Sequence, residues 1–343
     1  MIGNNKEARR YSVVFICVVL LILSFTISLG LGRAFTLGDI WTHVSGVLRG
    51  DQGTNSAYIS IVLLKIRIPR ILAAICVGMS LATAGASYQG LFQNPMVSPD
   101  ILGASAGAGL GAAIAILMGA GAIGVQLLSF ACGIMAVGLT YAVSLSVGGK
   151  QKTVLMLVLS GMVTGSLMTA CVSITKYLAD TDDKLPAITF WLMGSLASVT
   201  QNDSMLLFLL FLAGGIPLFC LRWKLNVLSC GEEEAQSMGI NTRRMQVAVI
   251  ACSTMLSAAS VSIAGMIGWV GLAVPHIARM LVGSNYKSLL PVSALIGGIF
   301  LLIADDMARC LTTAEIPLGI LTSLCGAPFF LYLLLRTNKL WSA

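Results

Sequence analysis

Long apolar runs separated by short polar stretches organise this chain. The runs predict helices over about 12–31, 68–88, 100–119, 122–147, 153–177, 203–221, 245–265, 267–282, 289–308 and 317–335. Most reach the length that a helix needs to cross a bilayer. The eighth is short and is interrupted by Pro275. The first, Val13 to Leu31, is too long for a signal-peptide core and reads as a retained span. Residues 186–200, which begin at Pro186 and include WLMGSLASV, predict a short helix lying at one face. The expected architecture is an all-α polytopic membrane protein with about ten transmembrane helices. A tail over 1–11 precedes a single domain over 12–338, which a charged segment interrupts at 222–244.

Composition agrees with that pattern. The chain is 57% hydrophobic and 10% charged, with a mean hydropathy of +0.91. Its net charge of +7 fits basic loops on one side of a membrane more simply than a nucleic-acid surface. With the N-terminus inside, the inner loops hold 13 Lys and Arg, from Lys6 to Lys339, and the outer segments hold 8. The acids lean the other way. The positive-inside rule therefore puts both termini in the cytoplasm, which needs an even number of spans. The nine cysteines are scattered with no CxxC pair, so a metal or disulfide role is the weaker reading.

The charged segment RWKLNVLSCGEEEAQSMGINTRR, Arg222 to Arg244, carries its own helix signals. Ser229 with Glu232 fits a capping box. Glu232, Glu233 and Glu234 fill the first turn, where the helix dipole favours negative charge. Gly239 is a natural stop. A short capped helix between two spans, on the cytoplasmic side, suggests a docking element.

Two more polar clusters stand out. In Lys65-Ile66-Arg67-Ile68-Pro69-Arg70, the two arginines would share a helix face that starts near Pro69. They could receive carboxylates, or simply anchor a helix at the headgroups. Asp305, Asp306 and Arg309 precede Glu315-Ile316-Pro317-Leu318-Gly319. Acids in an apolar run are costly and usually paired. Here the alternatives are a structural ion pair or an outer ring in which Arg309 joins Arg67 and Arg70.

Gly103, Gly107 and Gly111 recur every four residues, a face suited to close helix approach. GLFQNP (90–95) and GLAVPH (271–276) hint at an inverted repeat. Gly148-Gly149-Lys150 lacks the rest of a P-loop, and His43 and His276 stand alone. The chain is therefore not expected to hydrolyse ATP itself, nor to carry catalytic residues or a metal site. Any ATP and Mg would be used by a separate subunit.

The motifs, in order, are Arg67-Ile-Pro-Arg70, GASYQGLFQNPMVSPDILGASAGAGLGA (85–112), FWLMGSLAS (190–198) and LNVLSCGEEEAQSMGI (225–240), then AGMIGWVGLAVPHIAR (264–279), ADDMAR (304–309) and EIPLGILTSLCGAPFFLYLLLR (315–336). Together they resemble the FecCD-like permeases of type II ABC importers for iron-siderophores, haem and cobalamin. The resemblance implies a prokaryotic cell-membrane subunit that pairs with a second permease copy or paralogue. It further implies two cytosolic ATPase subunits below and a substrate-binding protein above. It makes Ser229, Gly231, Glu232, Glu233, Glu234, Ala235, Met238 and Gly239 the ATPase coupling helix. Arg67, Arg70 and Arg309 become docking residues for acidic groups of the binding protein. The region around 160–198 lines the path, and the inner gate lies near Thr153. Asp306 departs from the family, which usually has an apolar residue there. The rival from another class, an ion-coupled secondary transporter, needs charges at mid-membrane, and the span interiors are nearly free of them.

Overall fold

The computed structural model describes residues 2–31, Gly38, 56–147 and 153–341. The described residues form helices and connecting turns. Helix α1 is Ile2–Gly30. Helix α2, Ser56–Ile61, runs through a π-helical stretch, Val62–Arg67, into α3, Ile68–Leu91. A 3₁₀ turn, Pro99–Leu102, leads into α4, Ala104–Leu117. Then come α5 Ala122–Val147, α6 Thr153–Leu178, α7 Lys184–Met193, α8 Gln201–Leu228 and α9 Glu232–Ser237. Helices α10 Thr242–Ala264, α11 Val270–Val282, α12 Tyr286–Cys310 and α13 Leu318–Trp341 complete the chain.

Among the described residues, six helices are long and apolar enough to cross a membrane: Arg10–Gly30, Ala122–Val147, Val154–Leu178, Gln201–Leu228, Thr242–Ala264 and Tyr286–Cys310. Three shorter apolar helices, Ala104–Leu117, Val270–Val282 and Leu318–Tyr332, fall where spans are expected. The tenth segment is α3. Its 24 residues reach about 36 Å at 1.5 Å per residue, enough to span. Other helices enclose it. Ser80, Thr83, Ser87, Tyr88 and Gln89 are all buried there. The outer helices show the opposite pattern. α1 and α6 present rows of exposed Leu, Ile, Val and Met, as lipid-facing or subunit-facing helices do.

Small residues let the central helices touch. A Cβ on Gly78 of α3 would lie 2.1 Å from the carbonyl oxygen of Gly297 in α12, and the reverse clash is 2.3 Å. Gly85 meets the Gly271 carbonyl of α11 as closely, at 1.8 Å. The predicted glycine face is real at Gly107 and Gly111, which lie against the Cys132 and Leu128 carbonyls of α5. Gly103 does something else. Its φ of +85° makes the left-handed step between the 3₁₀ turn and α4.

Several expected boundaries shift. The second span does not begin at Pro69, because helix continues back to Ser56. A proline inside a helix clashes with the carbonyl four residues earlier, and the wider π turn just before Pro69 relieves that clash. The third span starts only at Ala104 because the chain first makes the turn at 99–102. The repeat does not hold in position. GLFQNP begins in the last two residues of α3 and continues beyond it, whereas GLAVPH lies inside α11. The segment after α6 does form the short helix α7, ending at Gly194. Gly148-Gly149-Lys150 and His43 lie outside the described residues.

Candidate functional site

Polar chemistry gathers at the two ends of α3 and α12. At the first end sits an ion cluster. Arg70, in the first turn of α3, reaches across to α12. Its Nε donates to both carboxylate oxygens of Asp305 at 3.1 and 3.0 Å, and its Nη2 donates to Oδ1 at 2.9 Å. The same guanidinium grips Glu315, with Nη1 to Oε1 at 2.7 Å and Nη2 to Oε2 at 3.0 Å. All three Arg70 nitrogens are thus engaged. The Asp305 side chain is 0% exposed and that of Arg70 10%, whereas that of Glu315 is 40% exposed.

Arg309 completes the cluster on the next turn of α12. It pairs with Asp306, lies 3.8 Å from Asp305, and donates to the backbone and hydroxyl oxygens of Ser28 at 3.0 and 2.7 Å. The Ser28 hydroxyl also bonds Asp306 at 2.7 Å. Arg67 donates to the Leu29 carbonyl at 2.6 Å. This explains Asp306, for which the sequence offers no account. It helps hold the end of α1 to α12.

Of the two alternatives, the structural ion pairs are present, and they stand beside the ring rather than in place of it. Arg67, Arg70 and Arg309 do come together, but inside the fold, where Arg70 and Arg309 pair with Asp305, Asp306 and Glu315. A buried guanidinium needs partners or it costs several kcal/mol. Such partners are what α1, α12 and the turn before α13 provide. Ser28 could not be picked out in the sequence, since nothing marks one serine in an apolar run.

At the other end lies the short helix. Gln93, at the end of α3, donates from Nε2 to the Leu228 carbonyl at 3.0 Å, which brings the end of α8 there. Asn226 of α8 bonds Asn285 at 3.0 Å and the Tyr286 amide at 2.7 Å, joining α8 to the start of α12. From this junction α9 projects. Ala235 and Ile240 are buried and anchor it, while Glu233, Glu234 and Gly239 are exposed and Met238 is 58% exposed. The close at Gly239 is as expected. Its φ is +78°, its amide bonds Gln236 at 2.9 Å, and the Ile240 amide bonds Ala235 at 3.0 Å, the pattern of a Schellman stop.

The start of this helix departs from expectation. Ser229 does not cap it. α8 runs on to Leu228, so Ser229 closes that helix, and its hydroxyl donates to the Asn226 carbonyl at 2.7 Å. An unsatisfied carbonyl at a helix end captures a nearby hydroxyl. The N-cap is Gly231, which makes no side-chain cap bond. Its φ of +148° suits glycine, and a Cβ there would fall 1.7 Å from the Glu234 carboxylate. The first-turn glutamates, Glu232 to Glu234, stand as expected. A true capping box lies elsewhere, between Thr200 and Asp203 at the start of α8. Asp203 also accepts from Gln126 of α5 at 2.9 Å.

Between the ends, a cavity of about 480 Å³ opens between the 99–103 turn and α6, lined by Asp100, Gly161, Met162, Gly165, Ser166 and Thr169 among others. Thr153 is the first residue of α6. What its side chain meets lies outside the described residues. No cluster of three or more metal-ligating side chains occurs among the described residues.

Among the described residues, six helices long and apolar enough to cross a membrane and three shorter apolar ones, with an acidic short helix at one end and a charge cluster at the other, define a multi-span helical membrane protein. The chain belongs to the FecCD transport family, whose pattern matches residues 17–336. It is thus a permease of the ABC importer type, a transport subunit rather than an enzyme. It is 39% identical over 331 residues to the molybdate import system permease MolB of Haemophilus influenzae, covering 95% of this chain and 96% of that one. It is 34% identical over 343 residues to the hemin transport system permease HmuU of Yersinia pestis, covering 98% of each. A chain solved in an inward-facing metal-chelate type ABC transporter superposes with a TM-score of 0.85 at 38% identity, covering 95% of this chain and 99% of that chain.

Proposed function

We propose that this chain imports an iron(III) chelate of the siderophore kind, with ATP hydrolysed by a separate cytosolic subunit. Glu232 to Glu234 and Met238 form the contact with that ATPase. Ala235 holds the helix to the bundle, and Gly231 and Gly239 set its ends. A binding protein engages the opposite end, where its carboxylates meet Arg67, Arg70 and Arg309. A second permease copy or paralogue completes the path, and both termini face the cytoplasm. Thr153 stands near the inner gate. The observation that carries this reading is the placement of α9. It projects from the end of α12 opposite the ion cluster, anchored by Ala235 and Ile240 with its acidic and Met238 faces open.

The likenesses to a hemin permease and a metal-chelate transporter support a chelate. Cobalamin stands as the alternative in the same chemical range. The likeness to a molybdate permease favours a second reading, a tetrahedral oxyanion. Uptake by the reconstituted permease, ATPase and binding protein separates them. Labelled ferric siderophore, cobalamin and haem are offered beside labelled molybdate. Uptake of molybdate alone would overturn the chelate reading. For docking, Arg67→Gln keeps a donor for the Leu29 carbonyl and removes the charge. Unchanged affinity for the binding protein would count against the role of Arg67.

A further inference from the structure

Arg70 raises a difficulty for any docking carboxylate. An arginine recognises a carboxylate through a fork of two N–H groups. Here Nε and Nη2 serve Asp305, and Nη1 and Nη2 serve Glu315. No fork is open. The cluster also has three arginines, Arg67, Arg70 and Arg309, against three acids, Asp305, Asp306 and Glu315, so an added carboxylate meets no surplus charge within it. One of the two acids on Arg70 must leave. Asp305 is fully enclosed, whereas the Glu315 side chain is 40% exposed. Glu315 also stands on the turn between α12 and α13 rather than within a helix.

We propose that Glu315 is an internal placeholder, which a carboxylate of the binding protein displaces from Arg70 on docking. The exchange conserves the Arg70 ion pair and swings Glu315 into water, where its charge is solvated. It has a structural consequence. Glu315 ties the turn 311–317 to α3, and that turn ends where three elements meet. The Ile316 amide bonds Ala308 at 3.1 Å, and the Leu318 amide bonds the Gly194 carbonyl after α7 at 2.9 Å. A Cβ on Gly319 would lie 2.6 Å from the Met193 carbonyl and 3.0 Å from that of Met266. Release of Glu315 therefore loosens the seam among α7, α11 and α13 at the end where the binding protein sits. The exchange couples docking to opening on that side. It rests on the docking reading above.

The test uses the permease assembled with its ATPase in lipid nanodiscs, and a purified substrate-binding protein that supports its uptake. Glu315→Gln removes the placeholder charge and is expected to tighten binding about five- to tenfold, since an intramolecular competitor for a charge-assisted pair is lost. Glu315→Asp keeps the charge on a shorter arm and is expected to tighten it less. It decides the matter if the Gln variant fails to assemble. Hydrogen exchange at amides 311–319 should rise when the binding protein docks on the native transporter, and should already be raised in Glu315→Gln. Unchanged or weaker binding in these variants, or no rise in exchange on docking, overturns the placeholder. If Arg67→Gln weakens binding while the Glu315 variants do nothing, docking stands and the exchange falls. If none of the variants alters binding, the docking reading itself falls.

Discussion

The two ends of α12 use charge in opposite ways. At its C-terminal end, Asp305, Asp306 and Arg309 face inward and bind α1 and α3, and through Arg70 the cluster reaches Glu315 on the turn to α13. At its N-terminal end, Asn285 and Tyr286 meet α8, and the nearby glutamates of α9 include two that point into solvent. Buried charge must be answered within the chain, so its partners come from distant parts of the sequence. Exposed charge is answered by water until something else arrives. The first end therefore stabilises this fold, and the second leaves a surface open for a partner.

The comparison can be broken most directly at Asp305. Asp305→Ala leaves Arg70 enclosed with only Glu315, and removing one partner of a buried pair costs about 3–5 kcal/mol. Thermal unfolding in detergent should show a larger drop for this variant than for any of the other substitutions. A native-like melting temperature would mean that the cluster is not a stabilising core. Next in size is Gly78→Val. Its added carbons meet the Gly297 carbonyl of α12, and overpacking at such a crossing costs about 1–3 kcal/mol or more. Loss of monodisperse protein on size exclusion checks it.

Asp306→Leu removes the second acid of the cluster and puts an apolar side chain in its place. It leaves Ser28 and Arg309 bonded to each other, so about 1–3 kcal/mol should be lost through the weakened Arg309 pairing. The other end should behave differently. Lysines at Glu232 to Glu234 should leave the melting temperature almost unchanged, yet abolish co-purification of the ATPase. Retained assembly with full stimulated hydrolysis would remove the distinction between the ends. The smallest effect is expected from Met238→Ala, which should weaken ATPase association by about 1 kcal/mol, as for a peripheral contact, without altering the fold.

Much of the spanning architecture can be read from the runs of apolar residues, because lipid demands a long helix wherever the chain crosses it. The short helix after α8 is legible for a similar reason. Charge in the first turn and glycine at the close are local signals, and Glu232 to Glu234 and Gly239 obey them. Its beginning is less legible. Ser229 and Glu232 satisfy a capping spacing, but the same serine also ends α8, and only the true end of that helix decides which carbonyl or amide it meets. The start of α3 fails in a comparable way. Pro69 marks a helix start by rule, whereas the π turn lets the helix pass through it.

The arginines show the deeper limit. Their number, spacing and likeness to docking residues are plain in the sequence, but their burial is not. Leu29, Ser28, Asp305 and Glu315 lie about 40 to 280 residues away from the arginines they meet in most of these bonds, and no periodicity links them. The sequence alone determined that this chain is a helical membrane protein with an acidic short helix between two spans, because those features follow from local hydropathy and helix-end chemistry. Only the tertiary structure decided that Arg70 and Arg309 are enclosed and paired with acids, with Glu315 as a half-open partner of Arg70. Burial and charge pairing are properties of what the fold brings together, not of neighbours along the chain.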